Sequence, residues 1–389
     1  MANAFNDTSS IAGLVQTAYD RYVEFALRAQ PMIRAVADKK PVQQAMPGSS
    51  VVFSLYNDLA AATSTLTETT DPDAVALSNV DTVSVTLNEY GNASLVTRKL
   101  QLFSLSDVDP AVADIIAFNM ADSLDIVAQN TLRQGTNVIY GGTRTSTATV
   151  TASDTIDSAD IRKAVAKLRS NKAVPRAGSL YWVGIHPEVS HDLRAESGSV
   201  GWRDTHAYTD ASLGNLFAGT IGTYEGAFFV ENSRMFSAKD GADQTDLATA
   251  PAVSGVSGEF TIVAANAAFG GKAEVGDKIA GTNVGASAKI TAISVGATNT
   301  TFTVDVANSG TVGTNTLTVT PVTRVFSTLV CGKQALAEAV AQEPGVVIGP
   351  VTDKLMRFRP IGWYGVLGWN RYREEALYRI ETGSSIAAL

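Results

Sequence analysis

The chain has 389 residues, of which 45% are hydrophobic and 17% are charged, against roughly 25% charged residues in typical soluble proteins. A formal net charge of −8 and a pI of about 5.0 argue against a protein that wraps nucleic acid with a basic face. The single cysteine, Cys331, excludes an internal disulfide and a cysteine-rich metal site, and its apolar neighbours in sequence predict a buried, inert thiol. Because little charge is available for open surface, we expect partners to cover much of the exterior.

The N-terminus, MANAFNDTSS, predicts a protein without a signal peptide, because it lacks a basic region and an apolar core. No apolar run reaches the roughly 18 residues of a transmembrane helix. We therefore expect a protein that contacts no membrane and acts in a cytoplasm, or is released from one by lysis.

An amphipathic helix is predicted over residues 13–30, where five apolar side chains share one helical stripe and Pro31 ends the pattern. These side chains are Leu14, Ala18, Tyr22, Phe25 and Ala29. No domain surrounds this helix in the sequence, so we interpret it as an arm that docks on something else.

An extended hairpin is predicted next. A strand from about Val51 to Tyr56 is followed by a polar, Thr-rich stretch, after which Val83, Val85 and Leu87 alternate with polar residues. An isolated hairpin is only marginally stable in water. We therefore expect this hairpin to lie on a neighbouring molecule.

The clearest helix follows, with Asp109 placed to cap it, Pro110 in its first turn and Gly135 just past its end. Its apolar positions keep helical spacing: Val112, Ile116, Met120, Leu124 and Val127. A second helix starts at an Asp157 or Ser158 cap and carries Ile161, Val165 and Leu168 on one face. The strand SLYWVGI and a short helix beginning near Pro187 complete a mixed α+β unit.

The stretch LFAGTIGTYEGAFFVENSRMF has glycines at 219, 222 and 226, which suggests a phosphate-binding loop. However, Gly222 is followed by Thr223 and Tyr224, whereas a P-loop needs lysine and a hydroxyl residue. The glycines also lead into an aromatic strand, whereas a dinucleotide fingerprint leads into a helix. We therefore expect them to shape turns between two strands.

From about Ser237 to Thr323 the composition changes to Ala, Thr, Gly, Val, Ser and Asn, with short alternating runs separated by Gly and Asn turns. This spacing is typical of small β-barrels or sandwiches. We predict a separate, inserted all-β domain, followed by the return of the surrounding fold and two closing aromatic-rich strands.

No residue pattern predicts catalysis, a cofactor or a metal. His186 and His191 are five positions apart with Glu188 between them, which matches no zinc motif, and structural roles are expected for these and for His206. No nucleophile motif or paired carboxylates stand out. The tail interleaves Arg357, Arg359, Arg371 and Arg373 with Phe358, Trp363, Tyr364, Trp369 and Tyr372. A stacking platform for single-stranded nucleic acid is one interpretation. A core strand is favoured, because Trp363, Leu367 and Trp369 share one face at strand spacing.

The order of these elements resembles the major capsid proteins of tailed bacteriophages, whose fold is shared by encapsulin shells. SSVVFSLYNDL through VSVTLNEYGNASLVTRKLQLFSL is similar to their extended loop, and DPAVADIIAFNMADSLDIVAQNTLRQGT to their spine helix. LYWVGIHPEVSHDLR, GTIGTYEGAFFVENSRMF and LVCGKQALAEAV resemble segments of their axial domain. The resemblance implies an α+β capsid fold with an inserted all-β domain.

The resemblance also implies a division of the chain into successive parts. These are an N-terminal arm (1–48), an extended hairpin loop (49–104), a peripheral spine helix (105–140), an axial domain (141–236), the inserted domain (237–323), the axial domain continued (324–350) and peripheral strands (351–389).

The implied function is structural, without enzymatic activity: many copies form hexamers and pentamers of an icosahedral phage head around double-stranded DNA, which they contact non-specifically. Scaffold, portal and decoration proteins are the implied partners, with assembly in the host cytoplasm and a final location in the virion. Two alternatives stay open. One is an encapsulin-like shell around an enzyme cargo, and the other is a soluble β-rich binding protein with residues 237–323 as its ligand module.

Overall fold

A computed structural model describes residues 32–41, 50–56, 61–63, 65–66, 68, 80–103, 108–196, 220–265, 273–313, 316–350, 355 and 357–386. The predicted helix over residues 13–30 and the predicted role of His206 lie outside the described residues. The helices are α1 (Arg98–Phe103), α2 (Val108–Arg133), α3 (Ser158–Ser170) and α4 (Pro187–Ala195).

The strands, in chain order, are β1 (Asp38–Pro41), β2 (Ser50–Tyr56), β3 (Val80–Thr86), β4 (Asn88–Thr97), β5 (Val138–Tyr140), β6 (Tyr181–Ile185), β7 (Thr220–Tyr224), β8 (Ala227–Glu231), β9 (Ser237–Asp243), β10 (Ala248–Ser254), β11 (Thr261–Ala265), β12 (Lys278–Gly281), β13 (Ile290–Val295), β14 (Asn299–Val304), β15 (Thr316–Thr320), β16 (Val322–Cys331), β17 (Leu336–Ile348), β18 (Phe358–Arg371) and β19 (Leu377–Thr382).

The long helix α2 has 26 residues, which corresponds to about 39 Å. It ends two residues before Gly135, as predicted from the sequence. Ile116 and Leu124 are buried, and Val112, Met120 and Val127 pack partly buried against the same core. The helical spacing of these apolar residues therefore identified the face that α2 turns toward the rest of the chain.

A four-stranded sheet with the order β1-β17-β18-β4 packs against α2. Trp363, Leu367 and Trp369 of β18 are buried in this core, and the Trp363 indole N–H donates to the Asn119 side chain over 3.0 Å. The prediction of a core strand is confirmed. Because both tryptophans are covered, neither ring offers a face for stacking on bases.

A seven-stranded sheet forms the second body of the fold, with the order β5-β19-β16-β6-β8-β7 and with β9 also pairing with β16. Helices α3 and α4 share an apolar core with one face of this sheet. The Asp157 carboxylate accepts from the backbone N–H of Asp160 over 2.8 Å, so Asp157 is the predicted N-cap of α3. Residues of β6, β8 and β16 also join the core beneath α2, which links the two sheets.

Two strands differ from their predicted grouping. The closing strand β19 was assigned to the peripheral strands, but it pairs with β16 and β5 in the seven-stranded sheet. Strand β17, predicted as axial, pairs with β1 and β18 in the four-stranded sheet. The physical reason is that sheet membership depends on partners distant in sequence, which alternation of apolar residues does not specify.

The turn between β7 and β8 shows what Gly226 does in the glycine-containing stretch of residues 216–236. Glu225 and Gly226 connect the paired residues Tyr224 and Ala227, and both have positive φ angles, of 49° and 81°. Two central residues with positive φ angles are the signature of a tight hairpin turn whose twist suits the flanking strands. Gly222 lies at a register shift within β7. The prediction of a turn is confirmed for Gly226, whereas Gly222 lies within a strand and Gly219 lies outside the described residues.

Six antiparallel strands between β9 and β16 close into a small barrel, with the order β12-β15-β10-β11-β14-β13. Backbone bonds join the two end strands: the Ile279 N–H donates to the Ala288 carbonyl over 3.0 Å and the Ile290 N–H to the Asp277 carbonyl over 2.9 Å. The barrel has its own apolar core, centred on residues such as Phe302. Strand β9 lies outside the barrel, because it pairs with β16.

The segment that leads into β1 is held on α2 by a buried carboxylate. A single 3-10 turn, Ile33–Val36, places the backbone N–H of Arg34 at 2.9 Å from Asp125, and the N–H groups of Met32 and Ile33 face the same carboxylate. Burial raises the pKa of Asp125, although the three N–H groups act in the opposite direction. The Arg34 guanidinium also donates to Glu338 of β17 over 2.6 Å. Residues 32–41 are therefore fixed within their own subunit.

We expect Asp125→Ala to lower the free energy of unfolding by about 2 kcal/mol, because it leaves buried N–H groups without an acceptor. Asp125→Asn keeps an acceptor oxygen, so it is the matched control. Its free energy of unfolding should fall clearly less. Urea denaturation of the two variants gives the comparison. Equal losses in both would show that the charge of Asp125, rather than its acceptor function, anchors residues 32–34.

Candidate assembly surfaces

Two histidines lie in the described part of the chain, His186 and His191. The His186 ring packs 4.8 Å from the Phe326 ring, and its Nδ1 accepts from the backbone N–H of Glu188 over 3.3 Å, which caps α4. Burial lowers the pKa of His186, so the neutral form that can accept this bond is favoured. His191 is exposed beside Asp192. No cluster of three or more potential metal ligands occurs among the described residues.

Cys331 is buried in β16, and burial raises the pKa of its thiol to about 12. A thiol with such a pKa has almost no thiolate at neutral pH and is a poor nucleophile. The predicted buried thiol is confirmed. No helix in the described part of the chain is long and apolar enough to cross a membrane.

The surfaces of the molecule offer further candidates for functional sites. The first is the base of the hairpin formed by β2 and β3, which pair antiparallel from Ser50↔Thr86 to Tyr56↔Val80. Val85 is buried together with Ala337, Ala339 and Tyr372 of the same chain. The base of the hairpin thus packs on its own subunit, whereas the sequence led us to expect the hairpin on a neighbour.

Close backbone approach fixes this contact. Gly368 of β18 faces the Thr86 carbonyl so closely that an added Cβ would overlap it. The Asn370 side chain donates to the Ser84 carbonyl over 2.7 Å, and the Phe53 and Tyr372 rings meet edge to face at 6.2 Å. These contacts hold the base of the hairpin on the sheet, while most of residues 57–79 lies outside the described part.

The second surface is a group of exposed apolar side chains at the far end of the four-stranded sheet, which we call the apolar end. On α1, Leu102 and Phe103 are 73% and 78% exposed. The backbone N–H of Arg98 donates to the Arg357 carbonyl over 2.9 Å, which joins α1 to the start of β18. The apolar end comprises Leu95, Leu100, Leu102, Phe103, Val346, Val347, Ile348 and Leu355. Exposed apolar side chains that form a patch often mark an interaction site, and these side chains are candidates for one.

One edge of β17 is paired over only part of its length in the described structure. Strand β1 pairs with β17 only from Ala337 to Val340. Within the described structure, the same edge of β17 has no strand partner beyond Val340. Unpaired edges carry backbone donors and acceptors that another chain can satisfy. The apolar end is suited to contact with a further polypeptide.

The comparisons with known proteins identify the class of this chain. A family model described as phage capsid protein matches residues 111–385, well over half of the chain. The chain belongs to the phage capsid protein family. No curated protein matches its sequence. The predictions of a capsid protein and a phage origin are confirmed, and the family match favours a virion component over an encapsulin-like shell or a soluble binder.

Solved structures support the same fold for this capsid protein. The cyanophage Pam1 capsid asymmetric unit is 12% identical, with a TM-score of 0.60, covering 99% of this chain and 100% of that chain. The capsid of Ralstonia phage GP4 is 12% identical, with a TM-score of 0.59, covering 95% and 96%. A structure from Mycobacterium phage Che8 is 15% identical, with a TM-score of 0.51, covering 97% and 98%. The predicted α+β capsid fold is confirmed, and identities this low carry nothing beyond the fold.

Substitution of two glycines in the same sheet tests the seat of the hairpin. We expect Gly368→Ala to destabilise the capsid protein by about 2 kcal/mol, because a methyl group there forces β3 away from β18. Gly345→Ala is the matched control, since an added Cβ at Gly345 meets open space, and it should stay within about 0.5 kcal/mol of the parent protein. Amide hydrogen exchange in residues 80–86 locates the effect. Unchanged exchange in Gly368→Ala would contradict the proposed seat.

Proposed function

We propose that this protein is the major capsid protein of an icosahedral phage head, in which hexamers and pentamers enclose double-stranded DNA. The apolar end carries this proposal, because a single subunit leaves it exposed and a closed shell surrounds every subunit with further copies. The net charge of −8 suits a wall that contacts packaged DNA without binding it tightly. The function is structural, and we assign it no catalytic activity.

The contact between subunits has complementary charges. Residues 57–79, between β2 and β3, contain Asp58, Glu68, Asp71 and Asp73 and no lysine or arginine. The apolar end is flanked by the exposed cations Arg98 and Lys99 of α1 and by Arg357 and Arg359 at the start of β18. Opposite charges steer association and set the register of an interface. The acidic hairpin loop of one subunit therefore docks beside the apolar end of a neighbour.

The division of the chain into arm, hairpin loop, peripheral, axial and inserted parts belongs to the same proposal. In it, β17 is grouped with the four-stranded peripheral sheet and β19 with the seven-stranded axial sheet. The barrel between β9 and β16 is the inserted domain and faces outward or bridges capsomers. Scaffold, portal and decoration proteins are the proposed partners, and assembly takes place in the host cytoplasm.

Electron microscopy and light scattering of the purified full-length protein test the proposed assembly. We expect closed shells or rings of six and five subunits, because contacts made many times over stabilise the assembly even when each is weak. A stable monomer at high concentration, with crowding agents and with scaffold protein added, would overturn the proposal.

A charge exchange tests the docking of the hairpin loop. Arg98→Glu combined with Arg359→Glu should reduce the assembled fraction about tenfold, because acidic groups then face each other. Adding Asp71→Lys and Asp73→Lys should restore it. Arg162→Glu with Lys167→Glu on α3 changes the net charge equally and should leave assembly intact. Light scattering measures the assembled fraction of all three variants. Failure of the exchanged charges to restore assembly would contradict this contact.

A further inference from the structure

The barrel is connected to the rest of the subunit by a narrow neck of two chain segments. Strand β9 leaves the seven-stranded sheet at Asp243 and β16 re-enters it at Val322, and these two residues are register partners. On the barrel side, Ala248 pairs with Val319. In the neck, residues 244–247 therefore lie opposite the short segment around Pro321. Its ladder is irregular, with the Gln244 N–H donating to the Pro321 carbonyl over 2.8 Å.

Five ion pairs in the described structure cross from the barrel to β9 and β16. On one side, Lys278 contacts Asp243 at 2.6 Å and Lys289 contacts Asp240 at 3.0 Å. These pairs lie along a cleft of about 500 Å³ between the barrel, β9 and the Arg144–Thr151 segment. Because their ends belong to different bodies, they resist bending of the neck toward or away from this cleft.

The other three pairs share Lys239 or Glu274, and one of the three is buried. Lys239 of β9 contacts Asp277 at 2.5 Å and Glu274 at 3.0 Å, and Arg324 of β16 contacts Glu274 at 3.3 Å. The hydrogen bond from Lys239 lowers the pKa of the Glu274 carboxyl. The side chains of Asp277 and Lys239 are only 1% and 11% exposed. Salt screens such a buried pair much less than an exposed one.

Asp277 is the centre of this group. Its carboxylate accepts from the Lys239 ammonium, from the backbone N–H of Glu274 over 2.8 Å and from that of Val322 over 3.2 Å. One side chain therefore binds the barrel, β9 and the first residue of β16. A single uncompensated charge at this place would separate three segments that meet at the neck.

We propose that these ion pairs form an electrostatic clasp, centred on Asp277 and Lys239, that holds the barrel in one orientation on the subunit. The irregular neck is the hinge, and the clasp decides whether it bends. Neutralising the clasp releases the barrel to move as an independent body while both bodies stay folded. This inference concerns a single chain and does not depend on the shell contacts proposed above.

Distance measurements between two spin labels test the clasp. Val295→Cys places one label on the barrel and Ala166→Cys places the other on α3, both at exposed positions. Buried Cys331 stays unlabelled, because burial raises the pKa of its thiol to about 12. The labelled full-length chain is diluted into excess unlabelled chain, so that distances within one subunit dominate. We expect a narrow distribution with the intact clasp and one about twofold broader in Asp277→Asn.

Two further variants distinguish loss of the clasp from misfolding. Lys239→Met removes the cation and keeps the aliphatic stem, so it should broaden the distribution as well. Glu225→Gln removes a carboxylate beside Arg162 in the body, away from the neck, and should leave the distribution narrow. Circular dichroism checks that every variant is folded. Equally narrow distributions in all folded variants would overturn the proposal, as would a broad distribution in the parent chain.

The exposed side of the clasp allows an exchange of charges. Lys289→Glu places two carboxylates together and should broaden the distribution, whereas adding Asp240→Lys should narrow it again. A return to the narrow distance distribution in the double variant supports electrostatic attraction as the force at the neck. A double variant that stays as broad as the single one would instead indicate that packing at Lys289 holds the barrel.

Discussion

The packing of α2 against β18 is the interaction on which the rest of the structure depends. Along its 26 residues the helix meets three parts of the chain that are far apart in sequence. Asn119 accepts from Trp363, Asp125 accepts from the segment before β1, and Asp122 pairs with Arg234, which follows β8. Because residues of both sheets enter the core beneath α2, the helix fixes the position of one sheet relative to the other. The apolar end and the seat of the hairpin are placed by the same packing.

The division of contacts between one subunit and its neighbours has a physical basis. The hairpin base is buried on its own chain through Val85, Ala339 and Tyr372, so its direction is set before any partner arrives. The apolar end is left open, and it gains from burial only when another chain covers it. A subunit built in this way leaves part of its apolar surface for assembly. Contacts of moderate strength, repeated around a shell, then favour closure over single pairs.

Local signals in the sequence predicted the helices and the turns well. Asp157 before α3, Pro187 at the start of α4 and Gly226 in the β7–β8 turn each act within a few residues, so their effects can be recognised without the fold. The face of β18 was also predictable, because Trp363, Leu367 and Trp369 alternate over a sheet that is buried on that side. The order of these elements then supplied the resemblance to the capsid family.

The sequence could not specify the features that depend on contacts between residues far apart in the chain. The residues of β17 and β19 do not indicate a sheet, and only their pairing with β18 and β16 assigns these strands to different sheets. The candidate surfaces were missed for the same reason. Leu102 and Phe103 resemble core residues by composition, and nothing local shows that α1 leaves them uncovered. The apolar residues of α1 directly before the long helix were the available signal, but their meaning required the fold.

The pairing of Asp243 with Val322 has a consequence for how this molecule can change over time. The chain leaves the seven-stranded sheet and returns to it at adjacent points, so the span between them can be lengthened, shortened or replaced without altering the geometry of the sheet. The barrel itself is closed, and its end strands are joined by backbone bonds. It therefore brings no open edge of its own to a crowded surface. This position is a natural place for one module to be exchanged for another during evolution, and an accessible one for grafting foreign sequences.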